Sequence, residues 1–461
     1  MLISIEIHNF KSIRSSKVRF GSLTCVIGYN GVGKSNLFDA IHFLSLLSER
    51  DISQASSEIR RSGSGNSTPL DLIYGRDPTL PIRLKVDMIV PGSVIDDFGE
   101  LTEPSTSLLT YELELKYVEG GDRLAVQFEQ LTHARLGDYR KFTGFESSKS
   151  FQHSVAIGSR RGGPLISTGS IPGAITLHGD GGSRGRGAPV GKSPRTVLAG
   201  TNTSDYPTVL AAKREMSSWR LLHLEPTAMR SSDSRGADPH VSASGGHLAV
   251  TLSSISRGKP HVAAEVVNHL RELNADVEDL EVYQDDPQDQ VALRARVKGV
   301  SNWLFARSLS DGTLRYIALA LMLSDIDERS VLCIEEPENG IHPSRIPNLV
   351  RLLNDYAVDL DEPIGDDNPL RQVILNTHSP EVARQMSVDD LVFAERSSGP
   401  HGTVESIFRP VSGTWRASID LDSYQIPPKD SRAVADFIGG SPLSSRLSEQ
   451  LLLPINFGTA L

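Results

Sequence analysis

This sequence predicts an α/β fold: a lobe built on a mixed sheet, with an antiparallel β subdomain and an inserted helical and loop region. Three observations predict it. The apolar runs Leu23–Ile27, Val331–Ile334 and Gln372–Leu375 read as short buried strands. Each ends in polar residues, as strands of an open α/β sheet do where a ligand binds. The first run opens directly into Gly28-Tyr29-Asn30-Gly31-Val32-Gly33-Lys34-Ser35, followed by the helix-like stretch Asn36–Leu44.

That octapeptide is a complete G-x-x-x-x-G-K-[ST] phosphate-binding loop in its proper strand–loop–helix setting. Glycines let backbone N–H groups converge on phosphate oxygens, and a helix N-terminus adds positive potential there. Asn30, Gly31, Val32, Gly33, Lys34, Ser35 and Asn36 are the expected nucleotide contacts. Lys34 would reach the β- and γ-phosphates, and the Ser35 hydroxyl would ligate Mg²⁺. A second stretch, Gly187–Ser193, ends in the same way, but Arg186 stands where the first glycine belongs, and Pro194 interrupts the helix position. It reads as a solvated loop.

The chain has 461 residues, enough for two or three lobes or one large core with an insertion. A formal net charge of −10 argues against a surface that coats nucleic acid throughout, while leaving room for a local basic patch. Cys25 and Cys333 lie inside apolar runs and read as small core residues of a reducing compartment, the alternative being a redox pair. Met1–Ile7 alternates like a strand rather than a signal peptide, and no apolar run approaches the roughly 18–20 residues of a membrane span. A cytoplasmic protein without membrane contact is expected.

Four regions follow along the chain. Residues 1–134 hold the first part of the nucleotide-binding lobe and a β subdomain, in which Ile82–Met88 and Leu113–Val118 alternate; within them, 51–69 reads as a mobile loop. Residues 135–216 read as a flexible Gly/Ser/Arg-rich insertion. Its section 159–195 carries Arg160, Arg161, Arg184, Arg186, Lys192 and Arg195 against Asp180 alone. Phosphate contact with DNA or RNA is one reading; a solvated loop is the other, favoured because no aromatics are interleaved for base stacking. Residues 217–302 form a helical and β region, with a helix over Val262–Leu273 and a strand over Val291–Val297. Residues 303–461 complete the lobe. Neither a sustained heptad pattern nor a fixed-period repeat is present.

The C-terminal region carries the remaining chemistry. Ser310-Asp311-Gly312-Thr313 precedes the apolar helical run Leu314–Leu323, so Ser310 reads as an N-cap and, with a phosphate present, as an anion site. Val331–Ile334 delivers two adjacent carboxylates. Glu335 would face the metal, and Glu336 would polarise the lytic water. His378, at the end of the next run, would donate to the γ-phosphate and sense its loss.

As an ordered set, Asn9–Ile13 (NFKSI), the phosphate-binding loop, Leu309–Arg315 (LSDGTLR), Val331–Pro343 (VLCIEEPENGIHP) and Asn376–Pro380 (NTHSP) resemble the ABC-type ATPases of the SMC/RecF/OLD group. More narrowly they look like its stand-alone AAA family branch. The resemblance implies an ABC-type P-loop ATPase lobe that binds ATP and Mg²⁺ and works as a head-to-tail homodimer, or a higher oligomer built from dimers. ATP on one P-loop would be capped by the signature of the other, here Ser310 and Gly312, with the turn Asn339–His342 at the same seam. Lys11 of the NFKSI stretch is a further expected nucleotide contact. The sequence departs from the family in three places. Glu335 stands where relatives usually carry Asp, which points to slow turnover. The Q-loop glutamine has no clear counterpart, Gln54 being a guess. Neither the SMC coiled coil nor the OLD Toprim domain is evident, since about eighty residues follow Pro380.

Three functions follow as alternatives. The first is an ATPase whose dimer closure gates a partner effector in trans, a nuclease by this reading, in phage defence or DNA repair. The second is an ATP-binding scaffold with little turnover. The third, a transporter ATPase subunit, is disfavoured by the Asn-Phe-Lys-Ser pattern and by the Pro-Glu after Glu336.

Overall fold

The computed structural model describes residues 1–59, 68–158, 162–171, 173–182, 184–257, 260–273, 276–285, 289–325, 331–399, 403–419 and 427–439. All three apolar runs are strands of one six-stranded sheet. Its order is Arg220–Leu222, Val331–Glu335, Gln372–Thr377, Leu23–Ile27, Leu391–Ser398 and Val404–Pro410. The first five are parallel and the last is antiparallel. Leu23–Ile27, Val331–Glu335 and Gln372–Thr377 are buried at every position, as apolar strands covered on both faces must be.

Side chains alternate between two cores. Val26, Cys333, Ile374 and Val392 join a core that includes the helix Lys34–Glu49. Cys25, Ile334, Leu375 and Phe393 join another, with the helices Asp311–Ser324 and Ile346–Tyr356. The two thiols therefore point to opposite sides of the sheet. Both are free and buried, and burial pushes both thiol pKa values up. This geometry excludes a redox pair.

An eight-stranded antiparallel sheet lies beside the first: Arg184–Pro189, Ala174–His178, Ile166–Ile171, Arg123–His133, Leu108–Val118, Ile82–Ile89, Leu2–Phe10 and Ile13–Arg19. Its last strand meets the edge of the parallel sheet, where the Ser406 amide donates to the Ser12 carbonyl at 2.8 Å. The turn between the two N-terminal strands thus ties both sheets together. A third, smaller sheet pairs Asp233–Ser234, Val277–Asp285 and Leu304–Phe305 with Gln290–Val297, and packs with the helices Leu248–Ser256 and Pro260–Leu273 against Asp311–Ser324.

The structure differs from the sequence reading in two segments. Stretch 51–69 contains the helix Ile52–Glu58, and the short 3₁₀ turn Pro69–Leu72 begins at its last residue; residues 60–67 lie outside the described residues. Stretch 135–216 is largely regular where described, with helices Tyr139–Thr143, Lys149–Val155 and Pro207–Ser217 and the strands between 166 and 189. Its glycines suit a β meander because an existing sheet edge supplies the hydrogen bonds, while a few apolar residues such as Ile166, Ile175 and Leu177 supply the buried face. Of the basic residues, Arg160 and Arg161 lie outside the described residues. Among the described residues, no helix is long and apolar enough to cross a membrane.

One buried carboxylate pins this extension. Glu129 is fully buried, and accepts the backbone N–H groups of Val197 at 2.7 Å and Leu198 at 2.8 Å and the Tyr111 hydroxyl at 3.1 Å. Burial outweighs these bonds and pushes its pKa from 4.5 up to about 7. The folded protein therefore keeps a proton that the unfolded chain releases above pH 4.5. This contribution to stability is present below pH 4.5 and is lost as pH rises toward 7. Relative to Glu129→Gln, the wild type should lose up to about 3 kcal/mol between those limits, measured by denaturant unfolding at stepped pH. Parallel pH profiles would refute the assignment.

Candidate nucleotide-binding site

The parallel register brings four strand ends to one edge. Glu335 pairs with Asn376, Thr377 with Ile27, and Leu222 with Ile334. Of the residues just past those ends, His223 and Glu336 line one opening, and His378 is bonded to Glu336. A cleft of about 330 Å³ sits there, lined chiefly by the loop residues Asn30, Gly31, Gly33, Lys34 and Ser35, by Glu335 and Glu336, and by His223 and Arg315.

The loop is shaped by what surrounds it. A Cβ at Gly33 would lie 2.0 Å from the Ser406 hydroxyl oxygen, and its φ of 95° is left-handed. Only glycine lets the helix Lys34–Glu49 start this close to the edge strand Val404–Pro410. Lys34 is 6% exposed, and its Nζ donates to the carbonyls of Gly28 at 2.7 Å and Tyr29 at 3.0 Å. Burial lowers its pKa, opposed by the carboxylates of Glu336, Glu338 and Glu335. Arg396, which the sequence reading did not single out, donates to the Gly31 carbonyl at 2.8 Å and braces the loop from the neighbouring strand.

The acidic side is equally built. Glu335 is 9% exposed, and its carboxylate accepts from Asn376 Nδ2 at 3.4 Å. Glu336 adopts φ 45°, a costly conformation for a non-glycine residue and of the kind found at functional sites. Its carboxylate accepts from Asn339 Nδ2 at 2.8 Å and from His378 Nδ1 at 2.8 Å. Burial opposes its ionisation, but these two bonds and the charges of His378 and Lys34 prevail and hold its pKa below 4.5. Glu338 is pushed the other way, chiefly by burial. It accepts the Thr377 hydroxyl and fastens the acidic turn to the next strand.

Some expected contacts lie elsewhere. Val32 packs its side chain into the core, leaving only its backbone toward the loop. Asn36 donates to the Ser12 hydroxyl. Lys11 is paired with the buried carboxylate of Asp39 at 2.9 Å, because a carboxylate only 2% exposed needs a cation. Gln54 is exposed on its helix and outside the cleft. The group beside the Glu335 carboxylate is instead His223, which the sequence reading did not single out. Ser310 caps the helix Asp311–Ser324, accepting from the Thr313 amide at 3.2 Å, and stands exposed away from the chain's own cleft. Gly312 abuts the acidic turn: a Cβ there would lie 2.5 Å from the Gly340 carbonyl oxygen.

The donor set suits a Mg²⁺–nucleotide. Glycines leave a cradle of backbone N–H groups, a buried lysine needs an anion or carbonyls, and the Ser35 hydroxyl and Glu335 carboxylate are the hard oxygens Mg²⁺ takes.

Comparisons with known proteins agree with this geometry. Residues 1–148 match the family "AAA ATPase domain", and residues 218–384 match "AAA domain, putative AbiEii toxin, Type IV TA system". DNA replication and repair protein RecF of Porphyromonas gingivalis is 51% identical over 47 residues, covering 10% of this chain and 13% of the relative. RecF of Thermosynechococcus vestitus is 28% identical over 158 residues, covering 30% and 41%. Old nuclease of Escherichia phage P2 is 30% identical over 149 residues, covering 31% and 18%. The chain thus spans less than half the length of each of these relatives. An SMC head solved with the C-winged helix domain of ScpA superposes over 89% of this chain and 98% of its own at TM-score 0.50 and 12% identity, which shows a shared fold. Fold and cleft define a P-loop ATPase lobe. Within that class, the chain is an SMC/RecF/OLD-like ABC-type ATPase.

The Gly312–Gly340 approach yields a direct test. Gly312→Ala forces the acidic turn away and should destabilise the protein by roughly 1–3 kcal/mol, read as a lowered Tm. An unchanged Tm would contradict the close approach.

Proposed function

We propose that the chain is a Mg²⁺-dependent ATP hydrolase whose ATP-bound form is a head-to-tail homodimer and gates a partner effector. The observation that carries this reading is the convergence of Lys34, Ser35, Glu335 and the Glu336–His378 pair at adjacent parallel strand ends. In this scheme the loop amides and Lys34 hold the β- and γ-phosphates, Lys34 exchanging the Gly28 and Tyr29 carbonyls for phosphate oxygens. Ser35 and Glu335 hold Mg²⁺, which neutralises phosphate charge when bound. Glu336 orients the attacking water and accepts its proton, while His378 keeps that carboxylate aimed and contacts the γ-phosphate.

Ser310 and Gly312 would serve the partner's nucleotide, consistent with their place outside the chain's own cleft. The relatives are a DNA replication and repair protein and a nuclease, which supports DNA-related work in repair or phage defence and an effector of nuclease type. DNA contact through 159–195 belongs to the same proposal.

Steady-state hydrolysis by the full chain, with and without double-stranded DNA, tests it. Lys34→Ala should abolish ATP binding. Glu336→Gln should keep binding, lose roughly 10²-fold or more in kcat, and accumulate a dimer with ATP by light scattering. Nucleotide binding without turnover in the wild type would favour the scaffold reading, with Glu335 as its first suspect. Unchanged affinity in Lys34→Ala would refute the site.

A further inference from the structure

His223 sits where the sheet offers one more donor to the cation position. The strand Arg220–Leu222 runs parallel to Val331–Glu335, pairing Arg220 with Leu332, Leu221 with Cys333 and Leu222 with Ile334. The next residue, His223, is therefore level with Glu335. Its backbone N–H is anchored on the Ala243 carbonyl at 2.9 Å, which fixes where the side chain starts. The ring lines the cleft together with Ser35 and Glu335, and its Nδ1 stands 3.6 Å from Glu335 Oε2.

That separation is too long for a hydrogen bond. Two donors bonded to one cation at about 2.0–2.2 Å and at right angles are about 3 Å apart, so a modest rotation of an exposed ring brings both to one ion. The imidazole side chain is 65% exposed whereas the Glu335 carboxylate is 7% exposed. A fixed acid and an adjustable nitrogen donor thus flank the same space.

We propose that His223 is a third protein donor at the cation position and gives the cleft a preference for nitrogen-accepting divalent cations, Mn²⁺ above Mg²⁺. The inference rests on the nucleotide-site reading above. Ser35 and Glu335 alone are an all-oxygen set of the kind that suits Mg²⁺. An imidazole adds a donor that Mn²⁺ and later transition ions accept and that Mg²⁺ takes reluctantly.

The test uses the full chain with a non-hydrolysable ATP analogue and Mn²⁺. Pulsed electron paramagnetic resonance should detect coupling between Mn²⁺ and an imidazole nitrogen. That coupling should change on ¹⁵N-histidine labelling, which separates it from adenine and backbone nitrogens, and vanish in His223→Gln. Equilibrium binding should show Mn²⁺ affinity falling about tenfold in His223→Gln and His223→Ala, while Mg²⁺ affinity changes much less. Nucleotide and Mn²⁺ bound without histidine coupling would overturn the role of His223 and leave the nucleotide site standing. Failure of the analogue to bind at all would overturn both.

Discussion

Parallel pairing of Val331–Glu335 with Gln372–Thr377, and of the latter with Leu23–Ile27, is the constraint on which the site depends. Strand side chains alternate with period two, so a slip of one residue would invert a whole strand. Ile334 and Leu375 would leave the core of the helix Asp311–Ser324, and Cys333 and Ile374 would exchange sides with them. Because both faces are close-packed, a slipped register would have to repack both cores at once. The same register sets Glu335 beside Asn376 and Thr377 beside Ile27, so the polar chain past each end emerges at a common level. Chemistry here follows from packing: the core fixes the strands, and the strands deliver the carboxylates, the loop and the histidines.

The cleft concentrates charge at a cost that the surrounding bonds only partly offset. Lys34 is buried on carbonyls rather than on a carboxylate, with Glu335, Glu336 and Glu338 all near enough to influence it. Three acids close to one buried cation leave this region with more negative than positive groups. A cation beside Ser35 and Glu335, and a phosphate on Lys34, would relieve opposite halves of that imbalance. Nucleotide and metal are thereby favoured together more than either alone.

Much of the site was legible because its parts are local. The Gly-rich octapeptide, the Glu335–Glu336 pair and His378 each combine a short apolar run with its polar end, and such runs are read without tertiary knowledge. What stayed hidden depends on neighbours distant in sequence. Arg396 matters because Leu391–Ser398 lies next to the loop strand, and His223 because a three-residue strand pairs with Val331–Glu335. Strands within 166–189 were masked by glycine and serine, residues that lower β-propensity but are tolerated where a sheet edge already offers hydrogen bonds. Lys11 was assigned by motif, yet the Asp39 carboxylate one turn into the first helix claims its charge. Local pattern could not weigh that competition.

The acidic turn links the two faces that an ABC-type mechanism must couple. Glu336 and Asn339 are joined by a side-chain bond of 2.8 Å, and the next carbonyl, Gly340, presses on Gly312 at the start of the helix that Ser310 caps. The path from the carboxylate facing the cleft to the exposed signature end is therefore only a few residues long and packed throughout. Packed elements pass small displacements on rather than absorbing them. Glu336 is held at φ 45° by this turn together with its bond to His378, so a γ-phosphate that drew His378 toward itself would disturb both supports at once. In the dimer proposed above, strain at Glu336 would give the turn a reason to move, and the close approach at Gly312 would direct that movement toward the face offered to a second copy.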